Sequence, residues 1–77
     1  MKKITAKYIV ENITAMAYGQ HVTFRGSEFW MHCEQGDNGK YDPANGVIYY
    51  ISADRKISGS VNGHEFAKVI DGVAYKI

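Results

Sequence analysis

His64-Glu65 begins the pattern with which zinc proteases build a metal site, but Lys68 stands where the second histidine is needed. Without the paired ligand at i+4 the pattern offers no zinc chelate. His21, His32 and Cys33 are the remaining residues suited to metal or nucleophile chemistry. His32 and Cys33 are sequence neighbours, and neighbouring residues of a strand point to opposite faces. They therefore make neither a chelating pair nor a nucleophile–base pair. Cys33 reads instead as a core cysteine and the histidines as half-buried side chains.

The stretch GDNGKYDPANG, residues 36–46, brings Asp37, Asn38 and Asp42 together and so invites a calcium reading. A loop of the EF-hand type needs oxygen ligands at its first, third and fifth positions and glycine at its sixth. Counted from Asp37, those later places hold Gly39, Tyr41 and Asp42, so the pattern fails. Pro43 and the glycines at 36, 39 and 46 account for the stretch as a connecting loop. The sequence has no nucleophile elbow, no phosphate-cradling glycine loop and no carboxylate pair at a diagnostic spacing. A non-enzymatic protein is expected, with no catalytic residues, no metal and no cofactor.

What must position the other side chains is a small β domain. The 77 residues make a single domain, 1–77, with 45% hydrophobic and 13% aromatic content, enough for a thin core. Turn signals recur at roughly ten-residue intervals, the punctuation of an all-β fold. VIYYIS (47–52), ISGSV (57–61), HEFAKVI (64–70) and VAYKI (73–77) read as strands separated by ADRK (53–56), Asn62-Gly63 and Asp71-Gly72. The last two dipeptides suit two-residue type I′ hairpins, which makes this half a meander. Phe66, Val69 and Ile70 also fit a short helix over 64–70, but the flanking turns favour a strand. In the N-terminal half, KITAKYIVE (3–11) alternates with Ile4, Ala6, Tyr8 and Val10 on one face. ITAMAY (13–18), HVTFR (21–25, ending at Gly26-Ser27) and EFWMHCE (28–34) follow as further extended segments. The expected fold class is all-β, an antiparallel meander forming a small barrel or a curved sheet, with 64–70 as its one candidate helix.

Net charge is +1, but it is unevenly spread. Residues 1–25 carry +3, from Lys2, Lys3, Lys7 and Arg25 against Glu11. Residues 26–42 carry −3, from Glu28, Glu34, Asp37 and Asp42 against Lys40, and the remainder carries +1. The lone cysteine excludes an internal disulfide framework. With Met1 present and no apolar leader or spanning run, a cytoplasmic setting and no membrane partner are expected.

So thin a core cannot enclose Phe29, Trp30, Tyr41, Tyr49 and Tyr50 together, and outward tyrosine or tryptophan beside charge is the usual anchor of a protein interface. The acidic stretch is the sharpest candidate, with Glu28, Trp30, Glu34, Asp37, Tyr41 and Asp42 as partner-binding residues. A small nucleic-acid-binding barrel, with Phe29, Trp30, Tyr49 and Arg25 as a stacking platform, is the first alternative. Glu28 and the absence of a basic excess weigh against it. A homo-oligomeric structural subunit joined through an edge strand is the second.

A short chain beginning MKKI, a dense β meander, one cysteine and no catalytic motif together resemble the small phage-encoded inhibitors of bacterial immunity, the anti-CRISPR proteins. The resemblance covers all 77 residues as general character. It implies stoichiometric inhibition in the cytoplasm of a bacterial host: the protein would occupy a CRISPR effector complex and block target DNA binding. It departs from the strongly acidic DNA mimics of that group in being nearly neutral, which leaves a local acidic patch in place of whole-surface mimicry.

Overall fold

Arg25 and Gly26 have φ of 49° and 79°, and Asp71 and Gly72 have φ of 50° and 82°. Two successive positive-φ residues define the type I′ turn, whose twist matches that of the strands it joins. Phe24 faces Ser27 across the first turn and Ile70 faces Val73 across the second. The Asp71-Gly72 hairpin is therefore as expected, whereas the earlier turn sits one residue before the expected Gly26-Ser27.

The computed structural model describes residues 2–54 and 63–77. In chain order its elements are strand β1 (Lys2–Lys3), helix α1 (Lys7–Val10), helix α2 (Ile13–Ala17), and strands β2 (Val22–Phe24), β3 (Ser27–Gln35), β4 (Tyr41–Ser52), β5 (His64–Ile70) and β6 (Val73–Lys76). The strands form one antiparallel sheet in the order β1-β6-β5-β4-β3-β2, which stays open and does not close into a barrel. The strand expected at 57–61, Asn62 and the second half of the 53–56 turn lie outside the described residues. Residues 64–70 are strand, not helix.

Two corrections concern the N-terminal half. Residues 7–10 and 13–17 are helical, not extended. β1 and β2 lie at opposite edges of the sheet, so the segment between them crosses its face. A segment that covers a face must satisfy its own main chain, and short helices do this where a strand has no neighbour. Ile9, Ile13 and Met16, spaced i, i+4 and i+7, form the buried stripe; the strand alternation places Val10 inside, whereas Val10 is 48% exposed. Helix α2 ends with Gly19 N–H donating to the Met16 carbonyl at 3.1 Å and Gln20 N–H to the Ala15 carbonyl at 3.0 Å. These are the paired bonds of a Schellman cap.

Two irregularities of register shape the sheet. Cys33 faces Gly46 but Glu34 faces Asp42, leaving Pro43, Ala44 and Asn45 unopposed in a bulge of β4. The expected loop over 36–46 is therefore shorter: its second half belongs to β4. Asp42 holds the bulge, accepting the Ala44 N–H through Oδ1 and the Asn45 side-chain amide through Oδ2, each at 2.9 Å. The bulge is tied in turn to the last hairpin, because Asp71 N–H donates to Asn45 Oδ1 at 3.1 Å and Gly72 N–H to the Ala44 carbonyl at 2.8 Å. In β5 the pairs Ile48–Ala67 and Tyr49–Glu65 leave Phe66 as an inserted residue. Its ring turns onto the core, 5.2 Å from Phe29 and 5.8 Å from Tyr50.

The core lies between the helices and the sheet. Ile9, Met16, Ile48 and Val69 are its largest fully buried side chains, with Phe29, Met31, Ala67 and Ala74 around them. Tyr8 stacks on Phe24 at 3.8 Å with an interplanar angle of 11°, which fastens α1 to β2. Among the described residues no helix is long and apolar enough to cross a membrane.

Candidate protein interface

Phe29 and Met31 point into the core, so Glu28, Trp30, His32 and Glu34 of β3 point to the face opposite α1 and α2. Residues directly opposite one another share a face, and the register therefore lays out that face in rows. One row runs His32, Val47, Lys68, Tyr75, Lys3. The next runs Trp30, Tyr49, Glu65. A third runs Thr23, Glu28, Ile51, and the face is covered at that end, since Ile51 is 5% exposed.

At the centre the Trp30 and Tyr49 rings lie 6.1 Å apart at 17°. His21 stacks on the other side of Trp30 at 5.6 Å and 21°, and His32 meets Tyr49 at 4.9 Å. Gly63 makes this packing possible: a Cβ there would fall on the Trp30 ring, 2.6 Å from Cζ2. Trp30 is thus half-buried, its ring packed against Gly63 just before β5. The charges separate across the face. Glu28 and Glu65 border the rings and Glu34 lies beyond His32 on the same strand, while Lys68 and Lys3 flank Tyr75 toward the β6–β1 edge.

The six residues expected to bind a partner do not form one patch. Glu28, Trp30 and Glu34 share the ring face, and Asp42 lies opposite Glu34. Glu28 is engaged by His21, with Nδ1 3.1 Å from Oε1, and its side chain is only 21% exposed. Asp42 spends both oxygens on the bulge, and those bonds, the Ala44 N–H first and the Asn45 amide second, hold its carboxyl below the ordinary value. Asp37 sits on the exposed 36–40 turn. Tyr41 lies opposite Gln35, on the helix side of the sheet, and lines a groove there with Ala17, Gly19 and Cys33. His32, Glu65, Lys68 and Tyr75 are members of the face that the sequence does not single out, and Tyr49 is singled out only for the stacking platform. Tyr49 was legible as outward once Tyr50 was inward, but its meeting with Trp30 depends on register.

The stacking platform imagined for nucleic acid also divides. Phe29 is buried in the core, and Arg25 lies over the Phe24 ring at 5.3 Å, so only Trp30 and Tyr49 remain on the open face. Cys33 turns to the helix side, where its thiol donates to the Ala17 carbonyl at 3.4 Å. Burial, and then the Asp42 charge, push that thiol up, which disfavours the nucleophilic thiolate. Among the described residues no three histidine, cysteine, aspartate or glutamate side chains gather to hold a metal ion. Comparison with protein-family models, with curated proteins and with solved structures found no match.

Proposed function

We propose that this protein is a non-enzymatic inhibitor of the anti-CRISPR kind, which binds a CRISPR effector complex through its open sheet face and blocks target DNA. The observation that supports this reading is the pair of half-buried rings, Trp30 and Tyr49, bordered by Glu28 and Glu65, with Glu34 further along the same face. Aromatic rings supply the buried anchor of an interface, and carboxylates around them suit a basic surface made to hold nucleic acid. The same carboxylates repel a phosphate backbone, which favours a protein partner over DNA or RNA itself. The setting that follows is the bacterial cytoplasm, where such effectors work.

The test uses purified protein and a panel of purified effector complexes with labelled target DNA. Equimolar protein is expected to abolish the DNA mobility shift of a susceptible effector. Trp30→Ala and Glu65→Lys are each expected to weaken inhibition by about tenfold while circular dichroism stays unchanged. Undiminished DNA binding by every effector, with no complex seen by calorimetry, would overturn the proposal. The near-parallel rings of Trp30, Tyr49 and His21 also suit nucleobase stacking. Salt-steep binding of single-stranded oligonucleotides would transfer the function to that reading.

A further inference from the structure

Strand β2 pairs with β3 only as far as Val22 and Phe29. β3 continues to Gln35, and beyond Phe29 its only strand partner among the described residues is β4. The pair that closes a two-residue hairpin, here Phe24 and Ser27, is hydrogen-bonded, so every second residue from Ser27 turns its N–H and C=O toward the β2 side. Those residues include Met31, Cys33 and Gln35. Among the described residues, no main-chain hydrogen bond from the α2–β2 connection reaches them. The connection bends away at Gly19 and leaves a groove of about 410 Å³ lined by Ala17, Gly19, Met31, His32, Cys33 and Tyr41. Three consecutive strand residues line one groove only when it runs along their backbone edge, because their side chains alternate.

We propose that this edge of β3 receives an extended segment of a protein partner as an added strand, with lysine or arginine where the segment passes Glu34 and Asp37. Main-chain pairing supplies the affinity and alternate side chains the selectivity. On the helix side the groove walls are Ala17, Gly19 and Tyr41, which suit small apolar side chains. On the open side the segment meets Glu34, with Asp37 on the adjoining turn, and both carboxylates are exposed. Residues 30–35 contain neither the lysine nor the proline that usually blunts a free edge. A second copy of the chain fits less well, because edge-to-edge pairing lays the stretch 26–42, with its net charge of −3, beside its own image. This site borders the ring face, with His32 and Glu34 at the boundary, but it rests on the unpaired main chain of β3 and does not depend on what binds the rings.

The probe is a capped peptide of about seven residues, enough to span the free edge, alternating lysine and valine. Amide hydrogen exchange is followed by NMR on the whole labelled protein. Without peptide, the amides of Cys33 and Met31 are expected to exchange at least about tenfold faster than those of Trp30 and His32, which point to β4. Millimolar peptide should slow Cys33 by about tenfold. Methylating the peptide nitrogens that face β3 should abolish that protection, and methylating those on its far edge should leave it intact. The double variant Glu34→Lys, Asp37→Lys should weaken peptide binding by about tenfold. Protection that ignores the N-methyl pattern, or none at millimolar peptide, would overturn the proposal. Protection of the same amides that grows with protein concentration would overturn it in favour of a second copy.

Discussion

Asp42 is a surface residue that behaves as a structural one. Its two oxygens fix Ala44 and Asn45, and Asn45 in turn holds the Asp71 amide. Because these bonds favour the carboxylate, its folded pKa lies below the ordinary value of 3.8. Its stabilising contribution is therefore complete above that value and is lost as pH falls through the lowered folded pKa. The Ala44 amide resonance, whose N–H donates to Asp42, is expected to stay fixed above about pH 5 and to move only below about pH 4, as an NMR titration would show. Asp42→Ala should abolish that movement and speed exchange at Asp71 at neutral pH. Cys33 answers to the same carboxylate. Alkylation of its thiol at pH 8 is expected to run at least about threefold slower in the folded protein than in urea, and to quicken in folded Asp42→Asn. Residue type alone marked Asp42 as an acid in a polar loop; what made it structural was its place in a bulge that local sequence does not announce.

Helix α1 shows how a short apolar pattern can be read twice. Ile4, Ala6, Tyr8 and Val10 alternate as a strand does, yet Ile9 is 1% exposed and Val10 is 48% exposed. The i, i+4, i+7 stripe of Ile9, Ile13 and Met16 was present in the sequence, but it spans two helices of four and five residues, too short to stand without the sheet beneath them. Met16→Ala is expected to cost about 2–4 kcal/mol in urea unfolding, whereas Val10→Ala should change stability by less than about 0.5 kcal/mol. The opposite ranking would restore the strand reading. The strand at 64–70 presented the reverse ambiguity. Phe66 and Val69 both face the core although an odd spacing separates them, because Phe66 is the inserted residue of a bulge. A bulge in a strand thus imitates the spacing of a helix, and the flanking hairpin turns were the better guide.

At the scale of the whole molecule, the meander from β2 to β6 was legible because each strand lies beside its sequence neighbour. The open face was legible only in part: the alternation of β3 selected Trp30 and Glu34, but the rows that bring Tyr49, Glu65 and Tyr75 beside them depend on register across two bulges. The pairing of β1 with β6 was not legible, since nothing local to Lys2 and Lys3 specifies so distant a partner. That pairing sets Lys2 opposite Lys76 and Lys3 opposite Tyr75. The backbone therefore comes back to where it set out, and the order of strands is a ring with its break at one edge. A short flexible linker from residue 76 to residue 2, with the chain reopened in the exposed 36–40 turn, is expected to give a permuted protein with the same circular dichroism and cooperative unfolding. The relocated ends would then emerge beside the unpaired edge of β3. A peptide encoded at either end would be presented to that edge at a high effective concentration, without having to be supplied from solution.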